Sequence, residues 1–476
     1  MSSVTAVADG TAAAPRGSEE SERVGLKRFW IAAFFLSPML PLALYFHGNW
    51  YTFFHEWSLA MTAGILAFGF IMNQFLLGAR PKYFDRLFGL DKILRFHTVI
   101  GVASALLIVA HVLLKSIYDF ERNLQVLLGV AAANIFLAVI IVSLLVWSVT
   151  ILVRLRPIAM LRAFSARVLR IQYQHLRAFH NLTALAAVLV TGHVVLASST
   201  AEQPVRQLVM AAWFVVAMGL YAEHKFIRPF RIKRTPFTVT AVSEDGPNVW
   251  TVRMKPPAGR EWKNRAGQFA YFSFFRGRAG RDEHPFTLSS PAVLAAPGGE
   301  SSPAETPEIA FTAKALGDWT AQMNAIQPGD PVAVDGPYGL FSIDRVAVEQ
   351  PLVFLAGGVG ITPFLAMLRT LDQRAESRPV TLVWNVRHAA DLFCANELDA
   401  IAQRLNGFHW TAVVSRDPDW SGPKGRLDPA YLAQASLPEN ALYYLCGPVP
   451  QMEAIIRALR ARGVKPSRIR FENFAM

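Results

Sequence analysis

Two stretches of sequence, HTVIGVASALLIVAH at residues 97–111 and HNLTALAAVLVTGH at residues 180–193, decide how this chain folds. Each belongs to a run of mostly apolar residues close to the roughly 20 that an α-helix needs to cross a bilayer. A histidine at that depth is costly, so four histidines that bracket two such runs indicate function rather than packing. The sequence therefore predicts a membrane protein with histidines in its spanning helices.

The composition agrees with a protein that is partly embedded in lipid. Hydrophobic residues make up 53% of the 476 residues and charged residues 17%, against about 45–50% and about 25% in soluble domains. The two cysteines, Cys394 and Cys446, exclude a disulfide framework and a Cys-ligated iron–sulfur site. We expect a six-helix transmembrane bundle over residues 25–230, preceded by a disordered cytoplasmic tail at residues 1–24. The six apolar segments lie near residues 29–46, 57–78, 95–117, 126–153, 179–198 and 205–223.

The positive charges indicate how this bundle is oriented. Residues 1–230 hold 20 Lys and Arg against 11 Asp and Glu, whereas residues 231–476 hold 27 against 24. Basic clusters precede the first span, join the second to the third and the fourth to the fifth, and follow the sixth. The positive-inside rule then places both termini in the cytoplasm. The basic excess thus predicts contact with the lipid bilayer of a cell or inner membrane, and no nucleic-acid partner.

The four histidines are predicted to lie at two levels of the membrane. His97 and His111 are 14 residues apart and His180 and His193 are 13 apart, or about 21 and 20 Å along a helix. Because the third and fifth spans run in the same direction, His97 is expected level with His180, and His111 with His193. Two levels of facing imidazoles suit two stacked bis-histidine haems. His175 shares a helix face with His193, but its spacing does not match the third span, so we retain His180.

The second half of the chain changes to the patterns of a soluble protein. Short alternating strands separated by Gly and Pro turns predict an antiparallel β-barrel over residues 235–345. After Pro351 a strand, a glycine turn and a helix recur, which predicts a parallel α/β nucleotide-binding domain over residues 350–476. The fold class is therefore a multi-domain membrane protein.

Several motifs in this half resemble those of known flavoenzymes. HPFTLSS at residues 284–290 resembles the flavin-site motif of the ferredoxin-reductase-like family. Together with six spans and histidine spacings of 14 and 13, residues 25–476 resemble the NADPH oxidase and ferric reductase superfamily. Five further motifs resemble its NADPH oxidase branch: GDWT (Gly317–Thr320), DGPYG (Asp335–Gly339), AGGVGITPF (Ala356–Phe364), CGP (Cys446–Pro448) and FENF (Phe471–Phe474).

The resemblance implies an FAD site built from two of these motifs. Phe286 would cover one face of the isoalloxazine, and Thr287 would hydrogen-bond its N5 edge. Lys314 and the GDWT turn would hold the FAD pyrophosphate through charge and backbone N–H groups. The implied FAD-binding residues are His284, Pro285, Phe286, Thr287, Ser289, Ser290, Lys314, Gly317, Asp318, Trp319 and Thr320.

The resemblance likewise implies an NADPH site, with NADH as the alternative. The glycine loop ends a strand and opens a helix, so it would bind the pyrophosphate at a helix N-terminus. Arg387 and Arg416, which follow the next two strands, would bind the 2′-phosphate of the NADPH adenosine. Cys446 would lie beside the nicotinamide, and Phe474 would shield the flavin, which makes them, with Thr287, the candidate catalytic residues. The implied set is Gly357, Gly358, Gly360, Thr362, Pro363, Arg387, Ser415, Arg416, Cys446, Gly447, Pro448 and Phe474.

The implied activity is electron transfer from NADPH through FAD and two stacked b-type haems to an acceptor outside. The inner haem would use His97 and His180, and the outer haem His111 and His193. We favour O2 as the acceptor, which gives superoxide, with a ferric or cupric chelate as the alternative. A haem-binding membrane sensor and a membrane-tethered flavin reductase stay open as further hypotheses. No EF-hand motif precedes the spans, and no regulatory domain is predicted.

Overall fold

The chain forms two compact units in a computed structural model. The structure describes residues 16–47, 52–118, 123–147, 156–167, 173–275, 283–293, 307–317, 319–344, 346–438 and 440–472. The first unit reaches Phe88 and resumes from Lys92 to Glu223, and the second holds Gly89–Asp91 and the chain from His224. The first unit is helical, and the second contains two β-sheets.

Six helices in the described residues are long and apolar enough to cross a membrane. They are Glu22–Phe46, Glu56–Gly78, Leu90–Lys115, Leu124–Leu145, His175–Leu196 and Pro204–Arg234. These helices confirm the predicted bundle. Its helices are α1 (Arg16–Leu36), α2 (Met39–Phe46), α3 (Glu56–Gly78), α4 (Lys82–Phe88), α5 (Leu90–Lys115), α6 (Leu124–Val142), α7 (Arg156–Arg167), α8 (Tyr173–His180), α9 (Leu182–Leu196), α10 (Ser198–Ala201) and α11 (Pro204–Ala222).

The first helix begins earlier than the sequence predicts. Helix α1 starts at Arg16, so residues 16–24 of the predicted tail are helical. Three glutamates lie in this stretch, and negative charge near a helix N-terminus stabilises the helix. The expectation of disorder is corrected for these residues, and residues 1–15 lie outside the described chain.

The helix of the first span is interrupted at Pro38, and a side chain of the second span supplies a donor for the hydrogen bond that is lost there. Pro38 has no N–H, so it leaves the carbonyl of Phe34 without its helical donor. Asn73 Nδ2 donates to that carbonyl at 3.1 Å and to Ser37 Oγ at 2.9 Å. The indole Nε1 of Trp213 on α11 donates to Asn73 Oδ1 at 3.2 Å. The buried side chain of Asn73 therefore joins three helices through groups that lipid could not satisfy.

Helix α3 is the most buried of the six candidate spans. Inside the structure, 61% of its apolar window is buried, against 11–17% in the other five windows. A Cβ atom at Gly69 would lie 2.8 Å from Pro38 and 3.0 Å from Trp213, so glycine lets the broken span and α11 pack closely on α3. Helix α3 is therefore the centre of the bundle.

The first sheet of the second unit forms the predicted antiparallel barrel. Helix α12 (Arg228–Arg234) precedes it. Six strands hydrogen-bond in the order β4-β3-β6-β1-β2-β5, and aromatic and aliphatic side chains fill the interior. The strands are β1 (Phe237–Gly246), β2 (Val249–Lys255), β3 (Phe269–Phe274), β4 (His284–Thr287), β5 (Ile309–Lys314) and β6 (Pro331–Tyr338).

The second sheet is parallel and has helices packed on both faces. Its strand order is β11-β10-β7-β8-β9, and one hydrophobic cluster includes α13 and α14 while another includes α15 and α16. This arrangement confirms the predicted nucleotide-binding fold. The elements are β7 (Leu352–Gly357), α13 (Thr362–Gln373), β8 (Val380–Val386), α14 (Ala395–Arg404), β9 (Phe408–Val414), α15 (Pro429–Gln434), β10 (Leu442–Cys446), α16 (Val449–Ala461) and β11 (Ile469–Glu472).

Replacing Asn73 should destabilise the bundle. The Asn73→Leu variant leaves the Trp213 indole without this acceptor and the Phe34 carbonyl with the Ser37 hydroxyl as its donor, which should cost about 1–3 kcal/mol. Thermal unfolding of the detergent-solubilised protein should show a midpoint lower by several degrees. Thr62→Val is the matched control, because the Thr62 hydroxyl donates within α3 to the Ser58 carbonyl. Equal midpoints for Asn73→Leu and the wild type would contradict this role.

Candidate functional site

The structure brings the four membrane histidines together in two facing pairs. The ring centroids of His97 and His180 are 6.1 Å apart, with 37° between the ring planes. Those of His111 and His193 are 6.3 Å apart, with 80° between the planes. A metal ion bound by two imidazole nitrogens at about 2.0–2.1 Å each separates the ring centroids by about 6 Å. Both separations therefore suit a metal ion held between the rings.

Backbone carbonyls of neighbouring helices hold the outer pair. The Nδ1 atom of His111 lies 2.8 Å from the carbonyl oxygen of Ala60, and that of His193 lies 2.9 Å from the carbonyl oxygen of Gln125. Because a carbonyl only accepts, these contacts assign the ring proton to Nδ1. The Nε2 lone pair is then left for a metal, the usual arrangement for a ligating histidine.

Two glycines that the sequence reasoning missed make room for these rings. A Cβ atom at Gly64 would lie 2.7 Å from Nδ1 of His111, and one at Gly129 would lie 2.5 Å from Nδ1 of His193. Gly64 follows Ala60 by four residues and Gly129 follows Gln125 by four, so each glycine clears the space beside an accepting carbonyl. Glycine in the interior of a helix lowers its stability. A glycine at such a position was therefore the sequence signal that could have indicated close packing there.

At the inner level, a glutamine of α3 contacts the backbone of the histidine helix. Gln74 Nε2 donates to the carbonyl of His97 at 3.0 Å. Within the described chain there is no cluster of three or more His, Cys, Asp or Glu side chains that could hold a bare metal ion. Two axial ligands suffice for haem iron, because the porphyrin supplies the other ligands. The donor set of the pairs therefore fits haem better than a protein-only metal site.

The two predicted flavin motifs come together in an aromatic cluster on the barrel. Phe286 of β4 stacks on Phe311 of β5, with ring centroids 4.6 Å apart and planes 8° apart. Trp319 of the GDWT turn stacks on His284 at 4.4 Å and lies 5.3 Å from Phe286. The strand motif and the turn motif thus build one surface. Asp318 lies outside the described residues.

Several predicted flavin ligands are bonded within the protein. Thr287 is buried at the end of β4, and Ser289 and Ser290 are buried directly after it. The Ser289 hydroxyl accepts from Thr312 at 2.9 Å, and the Ser290 hydroxyl accepts from the Ala310 N–H at 3.1 Å. The two serines therefore hold β5 against the chain that follows β4.

The turn predicted to bind the pyrophosphate is closed by its own threonine. The backbone N–H groups of Leu316 and Gly317 donate to Thr320 Oγ1 at 3.0 and 2.9 Å. Lys314 forms an ion pair with Asp391 at 2.7 Å. Lys314 thus joins the barrel to the α/β sheet.

This ion pair perturbs the carboxyl group of Asp391. Burial opposes its ionisation, but hydrogen bonds from Lys314 and from the backbone N–H of His388, with the charge of Lys314, lower the pKa of Asp391 below its usual value. Asp391 lies in the Ala389–Asp391 turn that follows β8, beside the predicted nucleotide-binding arginine Arg387. The charge of Lys314 therefore stabilises the part of the chain that bears this arginine.

The glycine loop packs against the CGP loop of the neighbouring strand. A Cβ atom at Gly360 would overlap the carbonyl of Cys446, and one at Gly447 would lie 3.0 Å from Gly357. Gly358 has φ +56°, a conformation that glycine adopts without strain, and its carbonyl accepts from the Trp384 indole at 2.9 Å. The loop opens α13, whose first residues are the predicted Thr362 and Pro363. The absence of side chains at these glycines thus allows the backbones of the glycine loop and the CGP loop to pack against each other at the carboxyl ends of the parallel strands, near Pro448.

The two predicted phosphate-binding arginines are neighbours at the edge of the sheet. The backbone N–H of Arg416 donates to the carbonyl of Arg387 at 2.8 Å, which ties together the segments after β8 and β9. The hydroxyl of Ser415 donates to the carbonyl of Val386 at 3.1 Å. Both arginines are exposed. The sheet therefore presents two cations at the carboxyl ends of adjacent strands, where such folds bind nucleotides.

A buried carboxyl group accompanies the candidate catalytic cysteine. Cys446 ends β10 and pairs in register with Glu472 of β11. Burial, and then the charge of Glu472, raise the pKa of the Cys446 thiol well above its usual value, so the thiol is neutral. Sequence reasoning quoted the FENF motif but did not predict that Glu472 would lie beside Cys446. Phe474 of the same motif lies outside the described residues.

Comparisons with known proteins match both halves of the chain. The profile of the family described as "Ferric reductase like transmembrane component" matches residues 63–191, and that of the "Oxidoreductase NAD-binding domain" matches residues 354–458. The electron transfer component of toluate 1,2-dioxygenase from Pseudomonas putida is 35% identical over 148 residues, which are 31% of this chain and 43% of the relative. The reductase component of propane 2-monooxygenase from Mycolicibacterium goodii is 26% identical over 246 residues, 50% of this chain and 66% of the relative.

The chain therefore spans less than two thirds of the length of either relative. Among solved structures, a flavohemoglobin from Malassezia yamatoensis with bound FAD and haem aligns with a TM-score of 0.47 and 18% identity, covering 88% of this chain and 98% of that one.

These matches define the class of protein. Residues 63–191 are similar to a ferric-reductase-like transmembrane component, and residues 354–458 are similar to an oxidoreductase NAD-binding domain, in a chain with six helices long and apolar enough to cross a membrane. A ferric-reductase-like transmembrane component followed by an oxidoreductase NAD-binding domain is the order that the resemblance to the ferric reductase and NADPH oxidase superfamily implies, and both matches agree with it.

The Lys314–Asp391 ion pair should make stability depend on pH. Because the folded pKa of Asp391 is lowered, its contribution is present above about pH 4, the unfolded value, and is lost as the pH falls further. Asp391→Asn should lower the thermal unfolding midpoint at pH 7 by about 1–4 °C, and this difference from the wild type should shrink towards pH 3.

Asp399→Asn is the matched control. Asp399 accepts from the Trp410 indole, a bond that an amide oxygen can also accept, so the midpoint should stay at the wild-type value at both pH values. A difference between Asp391→Asn and the wild type that is the same at pH 7 and pH 3 would refute the role of the ion pair.

Proposed function

We propose that this chain transfers electrons from NADPH across the membrane to an acceptor on the outer face. The observation that carries the proposal is the pair of histidine levels in the bundle, with the outer rings held through Nδ1 by backbone carbonyls. Histidines held in this way leave Nε2 for iron. A structural core histidine would not need to face a second histidine at both depths.

Two cofactors would connect NADPH with the outer face. When bound, FAD accepts two electrons as a hydride and gives them up singly, and b-type haems carry single electrons between levels of the membrane. His97 and His180 would hold the inner haem, and His111 and His193 the outer haem. The aromatic surface around Phe286 would hold the flavin.

The α/β sheet would bind and orient NADPH. The exposed pair Arg387 and Arg416 would bind the 2′-phosphate, which favours NADPH over NADH. The glycine loop at Gly358 would approach the pyrophosphate at the start of α13. The neutral thiol of Cys446 and the buried Glu472 would line the nicotinamide position and exclude water from it.

The acceptor is proposed to be O2, which would give superoxide, because the motifs of the soluble half resemble the NADPH oxidase branch. A ferric chelate is the second candidate, and the match to a ferric-reductase-like component favours it.

A cation, Lys115, lies four residues after the proposed outer ligand His111 in the sequence. The ammonium group of Lys115 lies 2.9 Å from the centre of the Trp57 ring. A cation there would attract an anionic chelate or superoxide.

Anaerobic rapid mixing separates these functions. Under argon, NADPH should reduce the flavin and then the haem absorption bands of the purified protein. Reoxidation by air, with superoxide that dismutase removes, establishes the oxidase, and indifference to air with rapid reoxidation by ferric citrate establishes the chelate reductase. His111→Ala should abolish acceptor reduction while NADPH still reduces the flavin. Purified protein without bis-histidine haem absorption would refute transfer across the membrane and favour a tethered flavin reductase.

Filling the space at Gly129 should expel haem. In Gly129→Ala the new Cβ would lie 2.5 Å from Nδ1 and 2.8 Å from Cε1 of His193, so the ring must leave its position. Loss of a fixed ligand orientation costs about 10–100-fold in metal affinity. The haem-to-protein ratio, measured by pyridine haemochrome, should fall towards one. Gly219→Ala is the control, because nothing lies within 4 Å of a Cβ there. Two full haems in Gly129→Ala would refute the outer site.

A further inference from the structure

Gln125 contacts one ring nitrogen of His193 with both of its polar groups. Its backbone oxygen lies 2.9 Å from His193 Nδ1, and its side-chain Nε2 lies 3.0 Å from the same atom. Gln125 is the second residue of α6, two residues after Asn123, whose side chain accepts from the Val126 N–H and caps that helix. The half-buried amide of Gln125 is thus placed on the ring by a capped helix end.

One ring nitrogen cannot make both of these bonds at once. A carbonyl oxygen needs a proton on Nδ1, whereas an amide N–H needs the Nδ1 lone pair. If His193 binds iron through Nε2, Nδ1 must carry the proton. The side-chain amide can satisfy this state, because a half-turn exchanges its oxygen and nitrogen without changing its shape.

We propose that Gln125 is a positioning residue for the outer haem. Its side-chain oxygen, together with its backbone carbonyl, accepts the Nδ1 proton of His193 when iron is bound at Nε2. This inference rests on the proposed function. Two acceptors make the imidazole a stronger donor to iron, which stabilises ferric over ferrous haem and lowers the midpoint potential.

The effect is confined to one ligand of one haem. The opposite ring, His111, has the carbonyl of Ala60 as its Nδ1 acceptor, and the alanine side chain offers no second acceptor. At the inner level, the contact of Gln74 reaches the backbone carbonyl of His97 rather than the ring. The side chain of Gln125 therefore acts on the potential of the outer haem alone.

A redox titration of the purified full-length protein tests this inference. Gln125→Leu removes the side-chain acceptor and keeps the backbone carbonyl, so one of the two haem waves should shift to higher potential. Gln125→Glu supplies a stronger, charged acceptor, so the same wave should shift to lower potential. A merely structural role would not give shifts of opposite sign. Leucine and glutamate both suit the first turn of a helix, so both variants should fold.

Gln207→Leu is the matched control. Gln207 Nε2 donates to the carbonyl of Val195, two residues beyond His193 on α9, and not to the ring. Both waves should stay in place in this variant. Unchanged waves in both Gln125 variants, with two haems bound, would overturn the inference and leave the proposed function standing. A wild-type protein that binds no haem would overturn both.

Discussion

The Nδ1 atom of each outer histidine has a polar partner within the bundle, and the packing of the helices around the outer pair depends on those partners. Lipid offers no hydrogen bonds, so the partner must come from a neighbouring helix. At the outer level the carbonyls of Ala60 and Gln125 provide it. A ring can reach a helix backbone only where no side chain intervenes, and Gly64 and Gly129 meet this condition. The outer histidines therefore account for the glycines at positions 64 and 129.

Helix α3 combines the structural and the proposed functional tasks of the bundle. Ala60 and Gln74 contact the helix of His111 and His97, and they are separated by 14 residues, as those histidines are. Between them, Asn73 accepts from Trp213 and donates to the Phe34 carbonyl, which lacks its helical donor at Pro38 and also accepts from the Ser37 hydroxyl. The high burial of α3 follows from these contacts on several faces. Substitutions at these contact residues of α3 would therefore affect stability or the geometry of the histidine pairs.

The second unit shows which parts of a site a sequence motif predicts. The strand, turn and helix patterns predicted the barrel and the parallel sheet, because each pattern is local, and the resemblance implied that the HPFT and GDWT segments share one flavin site. They did not predict that Ser289 and Ser290 would be bonded to β5, or that Lys314 would pair with Asp391. Those contacts join elements that are far apart in sequence. Glu472 was missed for the same reason, since its partner Cys446 lies on another strand.

The sequence by itself determined the six spans, the change to a reductase fold and the two levels of histidine. Hydrophobic length, charge and residue spacing are properties of single segments. They can be determined from the sequence without knowing which residues are in contact in the folded protein. Only the tertiary structure decided which groups hold the rings. His111 and Ala60 are 51 residues apart, and His193 and Gln125 are 68 apart. Which carbonyl faces which nitrogen depends on how helices rotate and pack against each other, and no local pattern encodes that rotation.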